Sequence, residues 1–297
     1  MLSSQTCSIA SAIEQGTIAL SQLSDSAKLD SQLLLAFALV KNVTYLLTWP
    51  EKVITATQFI VFQQLLTRRV NGEPIAYILG EKEFWSLPLK VSSATLIPRP
   101  DTEILVEQVL TLFTYHDKSN TGGKNSQNIR GLDLGTGTGA IALALASECP
   151  CWQLDAVDFN QEAVELAQQN AKNLKLTHVK IYQSDWFSQI DAIEKFDFII
   201  SNPPYIDGTD QHLTQGDVRF EPKSALVADE KGFKDIRLIA EQARKYLKNN
   251  GYLLFEHGFE QAEKVRQILI DLGYDQVQSF KDYANNDRIT QATWLMN

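Results

Sequence analysis

One stretch limits the possible folds of this chain more than any other. Leu132-Asp133-Leu134 is an apolar run that passes directly into Gly135-Thr136-Gly137-Thr138-Gly139, and a helix-forming segment follows. Alternating glycines let the backbone turn sharply and approach a ligand closely, at an entropic cost that a plain connector need not carry. A strand, a glycine turn and a helix in that order open a βαβ unit, with the turn at the carboxyl end of the strand.

The sequence downstream repeats the alternation. From Ile129 onward, strands are predicted at 129–134, 152–157, 179–183, 196–201, 251–256, 275–280 and 289–295, and helices at 139–148, 160–174, 232–248 and 259–272. Such a pattern gives an α/β fold, a mostly parallel sheet of seven strands with helices on both faces. Asp158 ends the second strand about 20 residues past the glycines, where an acid can accept hydrogen bonds from a ribose. Its competing reading is a helix cap before Gln161. The glycine spacing alone leaves the cofactor open. Gly135-x-Gly137-x-x-Ala140 fits a dinucleotide loop. Gly135-x-Gly137-x-Gly139 fits the loop of S-adenosylmethionine (SAM) enzymes. Trp186, after the third strand, can lie against an adenine ring or simply pack.

Asn202-Pro203-Pro204-Tyr205 ends the fourth strand and tips the balance towards SAM. In open α/β sheets ligands sit outside the carboxyl ends of the strands, so this turn faces the same crevice as the glycines. Two prolines fix φ, remove two backbone donors and leave a stiff turn with free carbonyls. The Asn202 side-chain oxygen and the Pro203 carbonyl can each accept one N–H of a planar NH₂ group, while Tyr205 stacks on its face. Such a nitrogen is a poor nucleophile that gains from orientation towards a sulfonium methyl group, whereas hydride transfer has no use for these acceptors. Orientation can be worth on the order of 7–11 kcal/mol.

Residues 1–75 read differently. A helix capped by Asp25 or Ser26 runs to Val40, with Leu29, Leu33, Leu34, Phe37 and Val40 at helical spacing. A short turn holds Leu46 and Leu47, and a helix after Thr55 runs to Val70 with Phe59, Phe62, Leu65 and Leu66 on one face. No strand is predicted in this part. Residues 76–98 read as a linker with strand character at Tyr77-Ile78-Leu79 and a hairpin around Phe84-Trp85. A helix is expected from Asp101 to about Tyr115, and His116 to Asn128 as an exposed loop. The expected domains are therefore 1–75 (helical, substrate recognition), 76–98 (hairpin linker) and 99–297 (catalytic).

Charge excludes some functions. The chain has 27 basic and 36 acidic residues, a net −9. Residues 1–75 balance at zero, so the whole surplus falls on the remainder. A protein gripping DNA by its phosphates usually carries a basic excess, so neither direct DNA binding nor a polybasic membrane role is expected. No apolar run approaches the roughly 18 residues of a membrane span, and no secretory signal is expected. Three cysteines point to a reducing, cytoplasmic compartment. Cys149 and Cys151 look like half a metal site, but no histidine stands at ligand spacing, so no metal is expected.

These motifs together resemble the peptide chain release factor glutamine methyltransferases, the HemK/PrmC family. The matching stretches are Gly72 to Gly80, Phe84-Trp85, Ile97 to Glu103, the glycine loop, Asn202 to Tyr205, Phe220-Glu221-Pro222, Glu256-His257-Gly258 and Asp282 to Arg288. The resemblance implies a Rossmann-like SAM methyltransferase domain behind a small helical domain. It implies methyl transfer to the glutamine amide of the Gly-Gly-Gln loop of class I release factors, with S-adenosylhomocysteine as product. The enzyme is expected to be a monomer. Carried over, Gly135, Thr136, Gly137, Thr138, Gly139, Asp158, Trp186 and Asn202 hold SAM. Asn202, Pro203, Pro204 and Tyr205 hold the glutamine, with Asn202, Pro203 and Tyr205 as catalytic residues. Asn285 stands where a glycine is expected, and Asp101 where a glutamate is more usual. An alternative within the same chemistry is methylation of a ribosomal-protein glutamine or of an adenine amino group.

Several further residues have bland and functional readings side by side. His257 fits a structural histidine better than a general base. Arg99 can contact the SAM carboxylate or the substrate backbone, or form a salt bridge. Asn286-Asp287-Arg288 reads as a turn. The stretch 207–231 lacks periodicity and follows the catalytic turn, as a lid would.

Overall fold

The computed structural model describes residues 7–115, 129–193 and 195–296. The expected loop His116 to Asn128 lies outside the described residues. The chain divides into two compact units, one holding the residues up to Glu81 together with Thr214–Phe220, the other Lys82–Leu213 with Glu221 onward.

The first unit contains β1 (Cys7–Ser8), α1 (Ile9–Leu20), α2 (Ala27–Leu39), α3 (Val43–Thr48), β2 (Val53–Ile54), α4 (Ala56–Val70) and α5 (Ile75–Leu79). Caps set the helix starts. Ser8 accepts from the Ser11 N–H, Asn42 from Tyr45, and Thr55 forms a reciprocal capping box with Gln58. Three expectations need correction. The part has a little strand after all, since Cys7 pairs antiparallel with Ile54 and Ser8 with Val53. Tyr77-Ile78-Leu79 lies in helix α5, started at Pro74 and stopped by left-handed Gly80, which overrides the β propensity of a short apolar run. In α2 the buried face is Asp30, Ser31, Leu34, Leu35, Ala36 and Leu39, while Leu29, Phe37 and Val40 are exposed. The cause is the packing of α1. A Cβ at Gly16 would lie 2.2 Å from Ser31 Oγ, so the helices meet at the small residues and turn the apolar spacing aside. Buried Asp30 accepts from Ser24, Ser26 and Arg69, and Arg69 also bonds Asp217 in the returning segment at 2.8 Å.

The second unit opens within β3 (Glu81–Phe84), which pairs with β4 (Leu87–Lys90) across a two-residue turn at Trp85 and Ser86, both at positive φ. This hairpin is built into the unit: Phe84 and Leu89 are buried in its core, and the Lys90 N–H donates to Asn170. The order continues α6 (Glu103–Leu110), β5 (Arg130–Leu134), α7 (Ala140–Glu148), β6 (Gln153–Asp158), α8 (Gln161–Asn173), β7 (Lys180–Gln183), β8 (Phe196–Ser201), a single turn α9 (Asp229–Gly232), α10 (Lys234–Ala243), β9 (Leu247–Glu256), α11 (Ala262–Asp271), β10 (Asp275–Lys281) and β11 (Asp287–Trp294). Helix α6 passes into a π-type turn over Thr111–Tyr115. Helix α10 stops five residues before the expected end at 248, because a turn at Arg244 to Tyr246 feeds directly into β9.

The seven strands lie in the order β10-β11-β9-β8-β5-β6-β7. All neighbours from β9 to β7 are parallel, and β11 is antiparallel to both its neighbours. Alternate strand residues feed two cores. Leu254, Ile200 and Ala156 pack with α6, α7 and α8, whereas Leu253, Phe255, Ile199 and Leu132 pack with α10 and α11. From central β5 the chain moves on to β6, and from adjacent β8 it moves the other way to β9. The switch point between β5 and β8 therefore opens a crevice at their carboxyl ends.

Candidate active site

Both sequence motifs emerge at that switch point. Ser201, at the end of β8, sits opposite Leu134 at the end of β5 and donates its hydroxyl to the Leu134 carbonyl at 2.7 Å. The glycine turn follows one strand and Asn202 the other. Gly135, Gly137 and Gly139 have φ of +73°, +55° and +83°, a conformation that side chains bearing a Cβ seldom adopt. The turn is fixed by Gly135 and Thr136 N–H groups donating to the Val157 carbonyl and by Gly137 N–H donating to Asp158 Oδ2 at 2.9 Å.

A cavity of about 410 Å³ lies between the motifs, within the usual range of small-molecule sites. Its lining includes Gly135, Thr136, Gly137, Thr138, Asp158, Trp186, Asn202 and Pro204. Gly139 is not in the lining, and a Cβ there would crowd Leu143 at 3.0 Å and Ala167 at 3.3 Å. Pro203 is buried and Tyr205 half-buried, and neither reaches the lining. Tyr205 packs against the core and donates its hydroxyl to Glu256 Oε1 at 3.3 Å. Burial and the neighbouring Glu256 carboxylate raise the pKa of its hydroxyl well above the ordinary value, so it stays protonated.

Asp158 is not the cap of α8: that role belongs to Asn160, whose side chain accepts from the Glu162 N–H. Burial raises the Asp158 pKa, against the pull of backbone N–H groups of Asn160, Gly137 and Phe159. Trp186 holds a left-handed backbone (φ +46°), a strained state for a bulky residue, kept by Ser184 Oγ donating to its carbonyl at 2.7 Å. Its ring edge would lie 3.7 Å from a Cβ at Gly135, an ordinary contact distance, so it is φ and not space that calls for glycine there.

Some lining residues were not singled out in the sequence. Phe159 is 71% exposed beside Asp158, and Thr95, Leu96, Thr102, Asp185 and Asp235 also line the cavity. Phe159 follows the strand-ending acid directly, which is a readable signal. Asp235 has none, because it comes from α10 beyond the irregular stretch. Burial raises the Asp235 pKa against the opposing charge of Lys234, and Asp229 and Asp185 nearby add to the rise. Three carboxylates thus line the cavity. Arg99, the basic residue in the lining, is spent on buried Glu221 at 2.6 Å, and Glu221 also accepts the Ile97 N–H. His257 lies in the core, its ring nitrogens on Gly258 O and Thr290 Oγ1. Burial lowers its pKa and keeps it neutral.

The donor set fits a nucleoside carrying a cation. Asp158 offers acceptors to hydroxyls, Phe159 and Trp186 offer aromatic faces, and the carboxylates suit positive charge. Among the described residues no helix is long and apolar enough to cross a membrane.

The fold and the placement of its motifs are those of a Rossmann-like methyltransferase. A crystal structure of a methyltransferase from Pyrococcus furiosus shares the fold at 18% identity and a TM-score of 0.50, covering 79% of this chain and 100% of that one. The sequence model of the methyltransferase small domain matches residues 121–221, and that of the PrmC N-terminal domain matches residues 11–80. The chain is 53% identical over 294 residues to the release factor glutamine methyltransferase of Shewanella oneidensis, covering 99% of this chain and 98% of that protein. It is 51% identical over 269 residues to that of Escherichia coli K12, covering 91% and 93%. The chain belongs to the release factor glutamine methyltransferase family.

Proposed function

We propose that the protein transfers a methyl group from SAM to the side-chain amide nitrogen of the glutamine in the Gly-Gly-Gln loop of class I release factors, in the cytoplasm. The observation that carries this reading is Asn202 on the cavity wall, at the strand end next to the glycine turn. SAM supplies an electrophilic methyl group on a sulfonium. Asp158 would hold its ribose, Phe159 and Trp186 would offer aromatic faces to its adenine, and the carboxylate-lined wall suits its charge.

The rest is the work of the turn. Asn202 Oδ1 accepts one N–H of the glutamine amide and the Pro203 carbonyl the other, which fixes the nitrogen along the line of attack. Pro203 and Pro204 keep those acceptors from relaxing, and Tyr205 is pinned behind them by Glu256. The helical unit, whose exposed apolar residues include Leu29, Phe37, Leu47 and Trp49, receives the release factor. Incubation with labelled SAM and a class I release factor, followed by mass spectrometry, tests the reading. One added methyl group on the glutamine is expected, and no label on the release factor sinks it.

A further inference from the structure

The two ends of the Asn202 amide have nearly the same shape but opposite hydrogen-bonding character. If the function proposed above holds, only one orientation works: the oxygen must face the substrate NH₂ group. A flipped amide would set donor against donor. The turn itself does not decide between the two, so something behind it must.

From Asn202 a chain of hydrogen bonds runs through Thr102, its neighbour in the cavity lining, into the core. Asn202 Nδ2 is 3.3 Å from Thr102 Oγ1, Thr102 Oγ1 is 2.7 Å from Glu256 Oε2, and Tyr205 donates to Glu256 Oε1. Thr102 and Glu256 are 5% and 2% exposed, so the link between them is buried even though Thr102 touches the cavity lining. The sequence builds this arrangement from three places. Thr102 closes the tight turn Pro100–Thr102. Glu256 ends β9, where the register Ser201↔Phe255 sets it beside Asn202.

A hydroxyl has one proton and a carboxylate has none. Glu256, ionised, can only accept, so it takes the Thr102 proton. Thr102 Oγ1 can then only accept from Asn202, which draws the NH₂ end inward and leaves Oδ1 facing the cavity. We propose that Thr102 and Glu256 are positioning residues that set the amide orientation of Asn202 through this one-way relay.

Reversal of the relay gives a pH signature. A protonated Glu256 can donate to Thr102, which frees the Thr102 proton for Asn202 Oδ1 and turns the amide round. Burial raises the Glu256 pKa to about 7. Asp101 pushes it up, while the Thr102 hydroxyl, Arg288 and the Tyr205 hydroxyl hold it down. Activity should therefore fall as pH drops through this range.

The test uses the full-length enzyme with labelled SAM and a class I release factor, and measures kcat, KM and SAM affinity separately. Thr102→Val is expected to lower kcat by roughly 10–100-fold, the scale of a misaligned reacting group, with SAM affinity unchanged. Thr102→Ser, which keeps the hydroxyl, should restore most of the rate. Glu256→Gln should lower kcat and abolish the acid limb of the pH profile. Wild-type kcat in Thr102→Val overturns the proposal, and so does Thr102→Ser as poor as Thr102→Val, which marks a packing role. If Thr102→Val does not fold, an acid limb unchanged in Glu256→Gln overturns it. Failure of the proposed function looks different: the wild-type enzyme then leaves the release factor unlabelled, and the positioning role falls with it.

Discussion

Asn202 and Asp158 divide the work of the site, one facing the reacting nitrogen and the other the cofactor, and substitutions should separate them. Asn202→Ala removes an acceptor on the cavity wall without touching the glycine turn. Methyl transfer should fall by about 100-fold or more while calorimetric SAM affinity holds. Asp158→Ala should do the reverse in binding. It removes a carboxylate that both faces the cavity and holds the Gly137 N–H. Hydrogen bonds to a charged group are worth about 1.5–3 kcal/mol, so SAM affinity should drop by roughly one to two decades. Unchanged affinity would remove Asp158 from the cofactor site. Single residues also show what sequence can and cannot reveal. Asn285 in place of glycine looks like a departure, yet its φ is +68°, and asparagine tolerates that conformation better than most residues. Asp101 in place of glutamate still lies 3.6 Å from Arg288. The link from Asn202 through Thr102 to Glu256 was invisible, because it joins residues 100 and 154 positions apart.

At the scale of elements, local chemistry was legible and packing was not. Thr55 with Gln58 marks a helix start that depends only on neighbours in the chain, whereas Ser26 stands at the start of α2 without making the expected side-chain cap bond. The strand and helix alternation follows from burial on two faces of one sheet, and the seven strands form as that pattern requires. The buried side of α2 was misread because it depends on which helix packs there. Glycine at 131 is a similar case, with no sequence signature of its own. It sits in central β5, where a Cβ would come within 2.1 Å of the Phe198 ring. Phe198 is 1% exposed and packs with Phe113 and Trp152, so the ring has nowhere to go. Gly131→Ala should therefore cost about 1–3 kcal/mol by overpacking. A urea midpoint equal to wild type would show that the sheet can spread at this point.

The whole molecule is two units with unequal charge. Residues 1–75 are neutral and residues 76–297 carry the entire −9. The sequence did not show that Thr214–Phe220 returns to the helical unit, because the Arg69–Asp217 bond that holds it spans 148 positions. Folding also places carboxyls where their charge is costly, Asp133 and Glu256 foremost, with Asp158 and Asp235 on the cavity wall raised by burial as well. Burial raises the Asp133 pKa from 3.8 to about 7, against the Thr136 hydroxyl that donates to its Oδ2 at 2.6 Å, and its Oδ1 has no partner among the described residues. Glu256 is raised in the same way. The folded state thus keeps a proton on Asp133 that the unfolded chain releases near the ordinary carboxylate value. This contribution to stability is full below pH 3.8 and is lost as pH rises through about 7. Asp133→Asn keeps an acceptor for Thr136 and has nothing to ionise. Glu256, and neutral His257 with its opposite sign, are common to both proteins and drop out of the difference. The stability of Asp133→Asn relative to wild type should therefore increase between about pH 5 and about pH 8, read as the gap between their urea midpoints. A gap that stays constant with pH would mean that Asp133 ionises in the fold as easily as in the unfolded chain.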